Sequence, residues 1–362
     1  MKVLWITSHA DTLNSIRPEA ETLIGLAKRG VECEIMTQGD SVYRGAMEAA
    51  GVRVIDFVPK RKFGWRETAF IRRHLVQGRH DILHLFNNKA IATGVRAARG
   101  LPVKVISYRG QTGNVHRYDP TCWLTHLHPR IDRVICVADA VREDMARHRL
   151  APDSCVTVYK GHDLAWYSDP PADLQAIFGI PSGAFIVGTV ANYRPRKGLE
   201  ILIEAARGLP GNAPIHFLLV GRGTDHPRLR NRLAASPFRD RFHFPGFRKD
   251  ACSLMAACDC SVLPSTKREG LPKTVIESMA YGVCPVVTDT GGSAELVVNG
   301  ESGLVVPPGD ASALATAILR LYEDPSETRR MGARARQRIA DNFNIRQTID
   351  KTLEVYRLAL AS

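Results

Sequence analysis

The chain has 362 residues and a mass of 39.9 kDa, more than one hydrophobic core usually serves, and two domains of comparable size are the expectation. Hydrophobic residues make up 44% and charged residues 24%, with no low-complexity tract, which excludes a fibrous or disordered class. The net charge of +12 lies mostly in the N-terminal half: residues 1–160 hold 25 Lys and Arg against 16 Asp and Glu, the remainder 24 against 21. A field of that sign gathers anionic partners such as acidic headgroups, phosphorylated glycans or nucleic acid, or else it is simply a solvated surface.

The opening Met1–Thr7 run is too short for a signal peptide, and no stretch reaches the roughly 18 apolar residues of a membrane span. Eight cysteines sit mostly in apolar segments without Cys-x-x-Cys spacing; even Cys258-Asp259-Cys260 reads as strand packing rather than a metal pair. A cytoplasmic protein is expected, with a possible station at the inner face of a membrane.

Short β-branched runs near 2–7, 32–37, 52–57, 81–86, 103–107, 132–137 and 154–158 alternate with helical-period stretches, the pattern of a parallel, doubly wound sheet. The Gly161–Pro171 stretch, polar and proline-bearing, interrupts that alternation. A second series follows, with strands near 185–190, 215–220, 241–244, 259–263, 284–287 and 303–306 and helices near 198–207, 250–257, 273–281 and 311–323. The expected domains are therefore 1–163 and 164–342, two Rossmann-like halves facing across a cleft, plus a closing helix in 343–362. Sheets of this kind bind ligands at the carboxyl ends of their strands.

Within the second series, residues 263–282 run from a strand end through a tight loop into a helix. Pro272 suits a first helical position, so the amides of Gly270, Leu271 and nearby residues would point out of the helix N-terminus, a site for a diphosphate. Glu277, in the second turn, can accept both hydroxyls of a ribose, and Glu269, before the helix, would face a sugar. The plainer reading makes both solvated surface glutamates. Three cations, Arg194, Arg196 and Lys197, follow the strand at 185–190 and could neutralise a departing diphosphate, Lys197 best placed among them; alone, such a loop is ordinary solvated surface.

These motifs, with Phe242–Phe247, Val262–Ser265, Gly291-Gly292, Glu295–Val297 and Gly303–Pro307, resemble the retaining family 4 glycosyltransferases of GT-B fold, an α/β architecture of two Rossmann-like domains. The likeness is dense over 185–325 and only an outline before it. It implies that Glu277 binds the donor ribose, Glu269 contacts the transferred sugar, and Lys197 holds the diphosphate. It also implies that Gly270, Leu271, Pro272 and Lys273 hold phosphate, that Phe247 and Arg248 lie by the nucleobase, and that Gly221 and Gly223 form a glycine turn. The partners implied are a nucleotide sugar, UDP- or GDP-linked, and a glycan or glycolipid acceptor in polysaccharide or lipopolysaccharide assembly. No cofactor and no metal is expected, and no two aspartates stand in an Asp-x-Asp pair.

Three departures from the family pattern stand out. Asn192 occupies the usual place of an arginine, for which Arg194 or Arg196 would substitute. The usual glycine pair after the first strand is missing, leaving Asn14, Ser15 and Arg17 to build that loop. Ser107–Gly110 places Arg109 where many members have a histidine, with His116 six residues after the glycine; Arg109 would meet an anionic sugar or an acceptor phosphate. Glu269, Lys197, Arg109 and His116 form the expected catalytic set. His84 either lines the cleft or is a satisfied core histidine, and Lys60–Leu75 either lies on an anionic membrane or covers the sheet.

The rivals are a nucleotide-sugar epimerase or a phosphorylase of the same architecture. A dinucleotide oxidoreductase lacks its Gly-x-Gly-x-x-Gly after either first strand, and a nucleic-acid binder lacks aromatic-basic recognition motifs.

Overall fold

The computed structural model describes residues 1–9, 13–234 and 236–361, the side chains of 13–15 excepted. It contains two compact units, residues 1–161 with 343–362, and residues 162–342. Each is built on one parallel sheet, as the alternating pattern predicts.

In the first unit, strands β1 (Lys2–Ile6), β2 (Glu32–Thr37), β3 (Arg53–Asp56), β4 (Ile82–Leu85), β5 (Lys104–Arg109), β6 (Arg133–Cys136) and β7 (Cys155–Thr157) lie in the order β3-β2-β1-β4-β5-β6-β7. The second holds β8 (Phe185–Val190), β9 (Ile215–Val220), β10 (Phe242–Gly246), β11 (Cys260–Leu263), β12 (Cys284–Thr288) and β13 (Leu304–Val306), ordered β10-β9-β8-β11-β12-β13. Order reverses between β1 and β4 and between β8 and β11, the switch points where doubly wound sheets open a crevice. The central strands read as continuous apolar runs because helices cover both faces; Val3, Leu4 and Ile6 are wholly buried, as are Phe217, Leu218 and Leu219.

The helix Ile345–Ala361 belongs to the first unit, where it packs Ile349, Leu353 and Tyr356 into the core around Trp5. Tyr356 is wholly buried; its hydroxyl accepts from Trp5 Nε1 at 2.8 Å and lies 2.7 Å from His84 Nδ1. A phenol that both accepts and donates is what allows three polar groups to be buried together.

In the second unit the helix Pro325–Asn342 packs Thr328, Met331, Gly332, Ala335 and Ile339 inward. Gly332 permits the approach, since a Cβ there would stand 2.0 Å from the carbonyl oxygen of Gly282. No described helix is long and apolar enough to cross a membrane. The helix Trp65–Gly78 buries Ile71 and Leu75 while leaving Trp65 73% exposed, so the segment has both a buried and an exposed face.

Candidate functional site

The two loops densest in chemistry leave β8 and β11, the neighbours at the second switch point. Pro195–Lys197 makes a tight turn ending at Gly198, whose φ of 68° lies in the left-handed region. A Cβ on Gly198 would sit 1.9 Å from the carbonyl oxygen of Pro264, so glycine lets one loop lie directly on the other. Thr266 N donates to Arg196 O at 2.8 Å, and Arg196 Nη1 donates to Arg268 O at 2.7 Å. This lacing brings Lys197 Nζ to 2.7 Å from Glu269 Oε1, which also accepts from Ser265 Oγ at 2.6 Å.

Glu269 is only 5% exposed, and that ammonium and hydroxyl help to compensate its charge. The backbone around it is tightly held. Arg268, just before it, has φ of 62°, a costly conformation for a side chain of that size. Gly291, from the loop after β12, has φ of 52°, and a Cβ there would lie 2.1 Å from the carbonyl oxygen of Glu269.

The helix Lys273–Ala280 follows. Pro272 is its N-cap, with an extended ψ of 113°, and not its first helical residue as the sequence reading had it; the chain turns helical one residue later. No side chain caps this end, so the loop Gly270–Pro272 and the first amides of the helix offer positive potential beside Lys197. Glu277 is 8% exposed and pairs with Lys273 Nζ at 3.2 Å, which turns the Lys273 side chain along the helix and leaves its amide at the end.

The remaining expected donor residues form a border at the ends of β8, β9 and β10. Asn192 Oδ1 accepts from Arg222 N at 2.9 Å and so braces two loops, a different job from that of the arginine it replaces. Gly221 makes the brace possible: its φ is 146°, and a Cβ would come 2.1 Å from Ala191 O. Gly223, with φ of 72°, closes the same turn. The Arg222 guanidinium stacks 4.9 Å over the ring of Phe247, an exposed flat surface suited to a base. Arg248 is committed to Asp250 through contacts of 2.9 and 2.7 Å, and Arg194 is exposed.

In the first unit, a cavity of about 660 Å³ opens at the carboxyl ends of β4 and β5, lined among others by Lys62, Asn88, Lys89, Arg109 and His126. Arg109 is 6% exposed; it donates to Gly113 O and lies 3.3 Å from His126 Nε2, while its Nε has no hydrogen-bond partner among the described residues. Burial lowers its pKa, with Asp144 opposing. The histidine beside Arg109 is therefore His126. His116 is exposed outside this lining and packs edge-on against His148 at 5.7 Å, because its loop runs outward.

The other expected residues of the first unit do not meet in this cavity. His84 is a core residue, 2% exposed and held by Tyr356. Arg17 Nε donates to Tyr43 Oη at 3.1 Å, and the side chains of Asn14 and Ser15 lie outside the described residues. Burial pushes His84 down to about 3, and burial followed by Arg109 and Arg149 pushes His126 down to about 3. Both stay neutral in the fold, whereas unfolded histidines take a proton near 6.5. The unfolded state then binds more protons between those values, so the first unit loses stability as pH falls from about 6.5 towards 3. Urea midpoints measured across that range are expected to drop steadily; a flat profile would contradict neutral burial.

Two family models cover most of the chain: "Glycosyl transferases group 1" matches residues 172–338, and "Glycosyltransferase Family 4" matches residues 20–166. The chain belongs to the family 4 glycosyltransferases. The lipopolysaccharide core biosynthesis mannosyltransferase LpcC of Rhizobium leguminosarum bv. viciae is 28% identical over 313 residues, 84% of this chain and 85% of that protein. Phosphatidyl-myo-inositol mannosyltransferase of Mycolicibacterium smegmatis is 27% identical, over 78% of this chain and 72% of that one. The GT-B fold is shared with a glycosyltransferase from Rickettsia africae ESF-5, at a TM-score of 0.84 and 19% identity over 99% of this chain and 98% of that one. It is also shared with Anabaena HepE solved with UDP, at a TM-score of 0.81 and 22% identity over 99% and 100% of the two chains.

Several residues of this glycosyltransferase escaped the sequence reading. Ser265 ends the Val262–Ser265 motif, yet nothing in spacing shows a hydroxyl turned back onto a carboxylate four residues on. Gly291 was visible as half of a glycine pair, but its closeness to Glu269 is a tertiary fact. His126 has no local signal, being brought to Arg109 by the pairing of β5 with β6 and the loop between.

Proposed function

We propose that this glycosyltransferase moves a hexosyl group from a UDP- or GDP-sugar to a glycan or glycolipid of the cell surface, with retention of configuration and with no metal in the donor step. The observation that carries the reading is the Lys197–Glu269 pair at the uncapped N-terminus of the helix bearing Glu277. The Anabaena structures with UDP and UDP-glucose, and the lipopolysaccharide and inositol-lipid mannosyltransferases among its relatives, support the donor and acceptor classes.

The helix amides and Lys197 hold the diphosphate, Glu277 accepts from the ribose hydroxyls, and Glu269 orients hydroxyls of the sugar. As the bond from C1 to the phosphate oxygen breaks, negative charge grows on the phosphate, where fixed donors stabilise it without reorganising. The acceptor hydroxyl forms its bond to C1 on the face the phosphate leaves, and its proton passes to the departing phosphate oxygen. Double displacement would instead require a second carboxyl group about 5–5.5 Å from the first across the bond.

Arg109, with Lys62 and Lys89 on the same cavity, suits an anionic group on the acceptor or sugar. Exposed Phe63 and Trp65 beside Lys62 suit a station on an anionic cytoplasmic membrane face. No cofactor enters this scheme.

Proton NMR of the freshly formed product tests it. The new linkage is expected to keep the anomeric configuration of the donor, whereas inversion would refute the same-face step. Release of a free sugar or sugar phosphate, with no acceptor product, would favour the epimerase or phosphorylase reading.

A further inference from the structure

At the opposite end of the first sheet, away from the carboxyl ends of its strands, Glu34 is buried near the start of β2 at 3% exposure. Its two oxygens have separate surroundings. Oε1 faces cations, with Lys2 Nζ at 3.0 Å and Arg53 Nη1 at 3.6 Å. Oε2 faces two imidazoles, with His74 Nε2 at 2.5 Å and His80 Nε2 at 3.2 Å. One ligand atom from each of Glu34, His74 and His80 lies within 4.8 Å of the others.

His80 is the telling member. It is 5% exposed; its Nδ1 has no hydrogen-bond partner among the described residues, and its Nε2 makes no aligned hydrogen bond beyond the 3.2 Å approach to Glu34. A buried imidazole in that condition forfeits the bonds it made to water. The backbone takes trouble to put it there. Arg79 adopts the left-handed φ of 48° at the end of the helix Trp65–Gly78, turning the chain back. The ring of His80 then lies against Gly78, where a Cβ would come 2.2 Å from its Cε1. Its ring packs 5.2 Å from that of His74.

We propose that Glu34, His74 and His80 bind a divalent first-row transition cation, Zn²⁺ above all, as a structural clamp. Two imidazoles and one carboxylate are a recurrent zinc donor set, with water completing the tetrahedron. At zinc bond lengths, tetrahedral ligand atoms lie about 3.3 Å apart; the Glu34–His80 pair at 3.2 Å already matches, the Glu34–His74 pair at 2.5 Å would open, and all three atoms start within 4.8 Å of one another. Lys2 and Arg53 hold the far oxygen of Glu34 and fix the carboxylate, and Lys2 also keeps Glu32, at 2.7 Å, as a partner. The cation would join the helix Trp65–Gly78 to the sheet at β2 and at the turn before β4. It lies at the other end of the sheet from the sugar chemistry and takes no part in it.

The test uses the whole chain, untagged and stripped with chelator. Co²⁺ is added in place of Zn²⁺ and visible absorption is followed, then Zn²⁺ is added in competition. Expected is a saturable d–d band at one equivalent, abolished by Zn²⁺, with Zn²⁺ raising the thermal midpoint by about 5 °C or more. His74→Ala and His80→Ala are each expected to lower Co²⁺ affinity at least tenfold, and circular dichroism confirms that they fold. Absence of a d–d band in the wild type overturns the proposal without recourse to any variant. A sulfur-to-cobalt charge-transfer band overturns it too, since it would report the cysteines instead.

Discussion

Lys197→Ala is expected to lower the turnover number by about two to three orders of magnitude, the size of loss seen when one preorganised donor to a developing anion is removed. Two consequences of the geometry converge on this residue. Its ammonium sits beside the uncapped end of the helix Lys273–Ala280, where the departing diphosphate would collect charge. It also neutralises Glu269, which is 5% exposed and would keep Ser265 as a neutral donor against an otherwise less compensated charge. Steady-state kinetics of Lys197→Ala, Glu269→Ala and the double variant separate these roles. If the pair acts as one unit, the double variant loses little more than the worse single one, and strict additivity would show that the two residues act independently.

Gly291→Ala is expected to destabilise the second unit by about 2–4 kcal/mol and to reduce transfer at least tenfold. The added Cβ would lie 2.1 Å from the carbonyl oxygen of Glu269, and backbone cannot yield as a flexible side chain can. Relief would push Glu269 away from Lys197. Gly300→Ala is the control: its φ of 77° carries the same left-handed strain, but nothing lies within 4 Å of the added atom. It is expected to cost about 1–2 kcal/mol and leave turnover intact. Urea unfolding and initial rates of both variants make the comparison, and equal losses in the two would remove the crowding argument.

The strands were legible because most are short, β-branched or apolar runs with covered faces, and β1 to β13 fall within a few residues of where the pattern puts them. The helix Pro325–Asn342 was not legible. Its buried positions follow helical spacing, but they are Thr328, Met331, Gly332, Ala335 and Ile339, mostly small, amid arginines that make the segment look like solvated surface. A glycine that packs against backbone contributes to burial without adding hydrophobicity.

The segments proposed for the donor were legible for a different reason. Lys197, Glu269 and Glu277 lie in two loop-to-helix segments whose local chemistry is complete in sequence, and the fold has only to place β8 next to β11. The first unit offered no such segment. Arg109, expected in the catalytic set, lines the cavity at the ends of β4 and β5; besides the nearby Gly113 O it meets His126, itself held by Asn88, and only the fold brings positions 88 and 126 there. His84 had the strand position of a cleft residue and became core because Tyr356, far along the chain, takes its ring nitrogen. Glu34, His74 and His80 carry no spacing motif at all, since three separate elements contribute one ligand atom each.

On the proposed function, the second unit holds a nucleoside diphosphate between Lys197, the end of the helix Lys273–Ala280 and Glu277. Isothermal titration of UDP and GDP into the protein, with chelator present, tests it most directly. Micromolar binding of one of them is predicted, weakened at least tenfold by Lys197→Ala and by Glu277→Ala. Failure of both nucleotides to bind, or binding that neither substitution weakens, would contradict it.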